Sequence, residues 1–211
     1  MTKLYALDLR YYENGAWRDL LPKLSPERRQ RALACRFEPD KMRIVCAGYL
    51  LQQALERAGI PAEAQIFAEN QWGKPYLKNH KDIHFSLSHS GIWAVCAVSD
   101  EKVGVDVELP RCTMAMAERF FRKEELEGLE ALDRYHQRDA LNRLWTSKEA
   151  FLKMLGKGLT LPLDSFTVRL GDTAALQQDY TELPYRLHEY RQGLYRICLC
   201  CTDPRPEIEM L

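Results

Sequence analysis

Residues 104–108 read Gly-Val-Asp-Val-Glu, and that alternation restricts the local structure more than any other stretch of the chain. On a strand, side chains two apart share a face, so Asp106 and Glu108 project together, their Cα atoms about 6.6–6.8 Å apart. Val105 and Val107 point the other way and anchor the strand in a core. Taken alone, Asp-x-Glu is most simply an edge strand with its charges in water. The run from Trp145 to Lys153 changes the balance, because Trp145, Glu149 and Lys153 fall on one helical face at spacing four. A solvated Glu149–Lys153 pair would contribute only about 0.3–0.5 kcal/mol. Magnesium takes hard oxygen ligands at about 2.0–2.1 Å and commonly combines a few carboxylates with water and substrate phosphate. Asp106, Glu108 and Glu149 are candidate ligands of a magnesium ion, with manganese as the alternative, in a site for phosphoryl-type transfer; a solvated strand edge and a solvated helix pair are the plainer reading of the same residues.

Composition bounds what can surround such a cluster. With 211 residues, 46% hydrophobic and 28% charged, the chain is ordinary globular protein, long enough for one domain or two small halves. Thirty basic residues balance thirty acidic ones, which leaves no bulk attraction to nucleic acid or to an anionic membrane. Any anion site must be local. The first ten residues lack the regions of a secretory signal, and no apolar run approaches the roughly 18 residues of a membrane span. A cytoplasmic protein, monomeric, is expected. Seven cysteines at irregular spacing argue against a disulfide framework. Cys198, Cys200 and Cys201 have no second ligand pair at zinc-type spacing and read as small hydrophobes on a buried strand.

The order of elements is α+β. A strand over Lys3–Leu9 precedes a basic segment, Lys23–Arg43, and an amphipathic helix over Ile44–Ala58 that stops at Gly59-Ile60-Pro61. Trp72-Gly73-Lys74-Pro75 is a turn, since Pro75 pushes Lys74 into extended geometry. Strands follow over Ile83–Ser88, Ile92–Val98 and Gly104–Glu108. Helices then cover Met114–Phe121, Lys123–Leu132 and Arg138–Leu155, ending at Gly156-Lys157-Gly158. Strands cover Phe166–Leu170, Tyr185–Tyr190 and Leu194–Cys201, and the proline-rich tail beyond Thr202 is expected to fray. Each half offers a helix with strands, and the joint near Lys102–Gly104 divides the chain into 1–102 and 103–211. No residue-level repeat relates the two.

Ser88-His89 is not a hydrolase pair, because strand neighbours point to opposite faces and no Gly-x-Ser-x-Gly elbow is present. His89 either caps the turn at Ser90-Gly91 or donates to a phosphate. Gly156-Lys157-Gly158 is no Walker loop, since Phe151 stands where its first glycine belongs. Lys74 and the arginines around the first helix can gather phosphates, although a solvated basic face is the default for such a run.

Four motifs in order give these pieces a common reading: Trp72-Gly73-Lys74-Pro75, Phe85 through Gly91, Gly104 through Glu108, and Trp145 through Lys153 followed by Gly156-Lys157-Gly158-Leu159. From about Arg28 to Leu170 the chain resembles the 4′-phosphopantetheinyl transferases of the surfactin-synthetase-activating type. The resemblance implies a pseudo-dimer of two similar α/β subdomains with coenzyme A in the cleft between them. It also implies transfer of phosphopantetheine from coenzyme A to a serine of an acyl or peptidyl carrier protein, so the nucleophile belongs to the partner. Asp106, Glu108 and Glu149 match the metal-binding acids. Lys74, Ser88, His89, Arg43, Lys148 and Lys153 match coenzyme A contacts, and Arg28 and Arg31 stand near the position of the 3′-phosphate. In the implied chemistry Lys153 and His89 support phosphate oxygens and Glu149 is the candidate base. Arg119-Phe120-Phe121-Arg122 is either a basic, apolar face for an acidic carrier or a helix end with its phenylalanines in the core. The alternatives are a metal-dependent pyrophosphate hydrolase with water as nucleophile, and a non-catalytic coenzyme A- or carrier-binding module.

Overall fold

Trp93–Ser99 and Tyr195–Cys201 are strands buried along nearly their whole length, because each is covered on both faces. They sit inside two sheets packed against one another. The computed structural model describes residues 1–211, the side chain of Leu159 excepted. Its elements in chain order are β1 (Thr2–Asp8), α1 (Pro26–Ala34), α2 (Glu38–Arg57), β2 (Phe67–Glu69), β3 (Pro75–Leu77), β4 (His84–Ser90), β5 (Trp93–Ser99), β6 (Gly104–Glu108), α3 (Met114–Phe120), α4 (Lys123–Glu130), α5 (Arg134–Leu155), β7 (Thr167–Arg169), β8 (Ala175–Gln177), β9 (Arg186–Gln192), β10 (Tyr195–Cys201) and β11 (Glu207–Met210).

The first sheet has the order β11-β1-β5-β4 and the second β6-β10-β9. Alternation along the strands sorts the side chains into layers. Tyr5, Leu7, Phe85 and Cys96 pack with α2 through Val45, Leu50, Leu51 and Leu55. Cys198 and Cys200 pack with α5 through Leu144, Phe151 and Leu152. Between the sheets lie Leu4, Ala6, Val95 and Ala97 from one side and Val105, Val107, Ile197, Leu199 and Cys201 from the other. The result is a helix, two sheets and a helix in four layers: two α/β halves of similar plan, back to back. All three C-terminal cysteines are buried thiols, and burial raises the pKa of each.

Two expectations need correction. The helix expected from Ile44 begins at Glu38: Pro39 is preorganised for a first turn, and Glu38 and Asp40 complement its positive end. The tail expected to fray instead forms β11, which pairs in parallel with β1 from Lys3↔Glu207 to Ala6↔Met210. It satisfies the outer edge of β1 while Ile208 and Met210 stay exposed, so no apolar pattern announces it. Ion pairs Lys3–Glu207 and Arg57–Glu209 hold it. Through β11 the second half thus contributes a strand to the first. Among the described residues no helix is long and apolar enough to cross a membrane.

Candidate active site

Where the two halves meet, β4 faces β6, and serines do the joining. Ser86, Ser88 and Ser90 recur at the strand period and therefore share one face. Val105 N donates to Ser86 Oγ at 3.0 Å, Ser88 Oγ donates to Asp106 Oδ1 at 2.8 Å, and Ser90 Oγ donates to Glu108 Oε2 at 3.0 Å. The two acids thus emerge from β6 already oriented by hydrogen bonds from the other half.

Helix α5 brings the remaining groups. A Cβ on Gly104 would lie 2.0 Å from Ala150 O and 2.3 Å from Met154 N, so only glycine lets the helix backbone come this close to β6. Lys153 Nζ then reaches Asp106 Oδ1 at 2.6 Å and Ser88 Oγ at 2.9 Å. Asp106 is 2% exposed, and its Oδ2 has no hydrogen-bond partner. Glu149 and Glu108 both have raised pKa values, through burial first and then the charge of Asp106. A buried, unpartnered carboxylate oxygen beside two acids that resist ionisation fits a hard divalent cation, which would satisfy the first and relieve the second. Among the described residues no three potential ligands converge on one point; the Lys153 ammonium holds the other oxygen of Asp106.

The acids line a cleft of about 920 Å³, within the usual range for small-molecule sites. Ile44, Ile66 and Phe67 give it an apolar stretch, and Arg28 and Arg31 line it as well. The Arg28 guanidinium lies 4.5 Å from the centre of the Phe67 ring and meets no carboxylate among the described residues. His89 opens onto the cleft from β4. Its surroundings, then the charges of Lys153 and Arg43, hold its pKa below that of an ordinary histidine.

Comparison with known proteins gives this geometry its context. The family model for the 4′-phosphopantetheinyl transferase superfamily matches residues 102–200. A 4′-phosphopantetheinyl transferase of Bacillus subtilis is 38% identical over 190 residues, covering 88% of this chain and 85% of that one. The chain belongs to the 4′-phosphopantetheinyl transferase family. The transferase Sfp of Bacillus subtilis strain 168 is 33% identical over 187 residues, 86% of this chain and 83% of its own. The transferase psf-1 of Bacillus pumilus is 34% identical over 211 residues, 96% of this chain and 91% of its own.

Within this family member the cleft brings together Arg28, Arg31, Ser88, His89, Asp106, Glu108, Glu149 and Lys153. Three other expected coenzyme A contacts, Lys148, Lys74 and Arg43, are not among the residues lining it. Lys148 is fully buried: its Nζ pairs with Glu125 at 2.8 Å, donates to the carbonyls of Leu163 and Phe166, and lies over the Phe166 ring. A helix advances about 100° per residue, which turns Lys148 from the Glu149 face into the core. Lys74 Nζ donates to the carbonyls of Val103, Lys153 and Met154, which uses its three protons. Burial, then the charge of Lys102, pushes its pKa down to about 8. Arg43 sits beside His89 but is paired with Asp40.

Of the phenylalanine pair, Phe121 is buried and stacks near Trp145, while Arg119 lies exposed over Phe120. Arg122 is tied to Asp164 O. Phe120 also packs against the same core, so the phenylalanines sit as a helix end would place them. Ser86, Ser90 and Gly104 were not singled out from the sequence. The period-two serines facing Gly-Val-Asp-Val-Glu are the signal that could have found the first two.

Proposed function

We propose that the protein moves the 4′-phosphopantetheine group of coenzyme A onto a serine of an apo acyl or peptidyl carrier protein. The observation that carries the reading is the Asp106 carboxylate: buried, gripped on one oxygen by Lys153 and Ser88, with the other oxygen unpartnered. Asp106, Glu108 and Glu149 would hold magnesium, or manganese. Bound there, the cation supplies charge neutralisation for a pyrophosphate. Arg28 and Arg31 bind anionic groups, and the apolar stretch of the cleft accommodates the uncharged part of the substrate.

In the reaction the carrier serine oxygen attacks the phosphorus that bears the pantetheine arm. The bond to the bridging oxygen breaks, and adenosine 3′,5′-bisphosphate leaves with the electron pair. Lys153 and His89 donate to phosphate oxygens, and their positioning supplies much of the acceleration. Glu149 takes the serine proton. No nucleophilic serine or cysteine is required of this chain, because the partner brings it. Arg119 over Phe120 offers the basic, apolar face that an acidic carrier helix would meet. The expected working form is a cytoplasmic monomer with 1–102 and 103–211 as its halves.

The test mixes the protein with coenzyme A, magnesium and a panel of apo carriers and weighs each carrier intact. One added phosphopantetheine on at least one carrier, lost with Asp106→Ala, is the expected result. Carriers unchanged across a broad panel would contradict the proposal. Turnover intact in Glu149→Gln with the metal still bound would remove Glu149 as the base.

A further inference from the structure

The Asn70–Lys74 turn between β2 and β3 belongs to the first half, yet its side chains serve the second. Asn70 Oδ1 accepts from the amides of Trp72 and Lys74, both at 2.9 Å, and so shapes the turn. Its Nδ2 donates to Gly156 O, in the second half, at 2.8 Å. Lys74 Nζ adds bonds to Lys153 O at 2.5 Å and Met154 O at 3.3 Å. The last carbonyls of a helix have no partners within it, and a cation there also meets the negative end of the helix dipole. Helix α5 is thus capped by residues about eighty positions earlier in the chain.

Three further details tie that cap to the acids. Lys74 Nζ also holds Val103 O at 3.0 Å, one residue before β6 begins. Gly156 has φ +69°, and a Cβ there would fall 2.8 Å from Lys74 Cδ and 3.4 Å from Asn70 Nδ2, so the stem of Lys74 fills the space a side chain would take. Lys153, whose carbonyl is gripped, is the residue whose ammonium contacts Asp106.

We infer that the Asn70–Lys74 turn is a latch that sets α5 against β6, and that Lys74 is a positioning residue acting through Lys153 and Asp106 rather than a phosphate ligand. With all three protons committed to carbonyls, its ammonium has none left for a substrate. The kinetic consequence rests on the phosphopantetheine-transfer reading; the structural one does not.

Two variants of the full chain test it. Lys74→Met keeps the stem over Gly156 and removes the donors. Asn70→Asp keeps the acceptor that shapes the turn and replaces the donor facing Gly156 O. Both are expected to lower kcat for carrier modification by about tenfold to a hundredfold, the cost of a small misplacement near the reacting groups. KM for coenzyme A should stay within about threefold, since no contact with the bound substrate is removed. Amide hydrogen exchange at 103–106 and 152–156 should quicken in both. A raised KM with kcat kept in Lys74→Met, and no effect in Asn70→Asp, would make Lys74 a substrate ligand and overturn the latch. Exchange unchanged in both folded variants would overturn it whatever the activity. A wild-type protein that modifies no carrier would instead sink the transfer reading and leave the exchange result to decide the latch. If Lys74→Met does not fold, Asn70→Asp alone decides.

Discussion

Burying a carboxylate oxygen without a donor is costly, and the Asp106 Oδ2 atom carries that cost beside two further acids. The pKa values of Glu108 and Glu149 are raised in the folded protein from 4.5. Their contribution to stability is therefore complete below pH 4.5 and lost as pH rises through the raised values. Metal-free Glu149→Gln should accordingly melt higher than the native protein, by a margin that widens from pH 4.5 to neutrality. Magnesium should raise the native melting temperature at neutral pH and that of the variant much less. A margin independent of pH, seen by calorimetry, would contradict this account of the cluster. Lys148 makes the opposite prediction. Lys148→Met strands Glu125 in the core and should cost about 3–5 kcal/mol, the range for a buried pair broken on one side. Its KM for coenzyme A, measured below the lowered melting point, should not change. A raised KM would return Lys148 to the cleft.

At the scale of elements, the approach of α5 to β6 decides whether the acids meet. Gly104→Ala puts a methyl against the backbone of Ala150 and Met154. Overpacking of this kind costs about 1–3 kcal/mol, and activity should fall further than stability alone explains, because Lys153 is pushed from Asp106. Removing residues 203–211 makes a contrasting case. It strips β11 from β1, at the opposite end of the sheet from β4, so chemical denaturation should show a clear loss of stability while kcat at low temperature stays near native. The same contrast explains what the sequence could disclose. The Val/acid alternation and the spacing of Trp145, Glu149 and Lys153 are local periodicities, so β6 and the working face of α5 were legible. Strand β11 was not, because its apolar side chains stay in solvent and its partner lies some two hundred residues away. Nor was Lys74: a turn shows its backbone in sequence, whereas the direction of a long flexible side chain is set by carbonyls that only the folded chain brings near.

For the whole molecule, the four layers leave a cleft lined by the acids together with Lys153, Arg28 and Arg31. That lining suits a substrate carrying a pyrophosphate and a further anionic group. Net charge is zero over the chain, so this gathering of charged groups is local to the cleft. The Asp106 cluster is held to release phosphopantetheine from coenzyme A only to the nucleophile of a carrier, and one measurement meets this directly. Adenosine 3′,5′-bisphosphate release and carrier mass are followed in the same reaction with magnesium. The account predicts one bisphosphate released for each phosphopantetheine gained, neither product without a carrier, and neither with Asp106→Ala. Bisphosphate released from coenzyme A in the absence of any carrier, with the carrier unmodified when present, would make the protein a hydrolase and contradict the account.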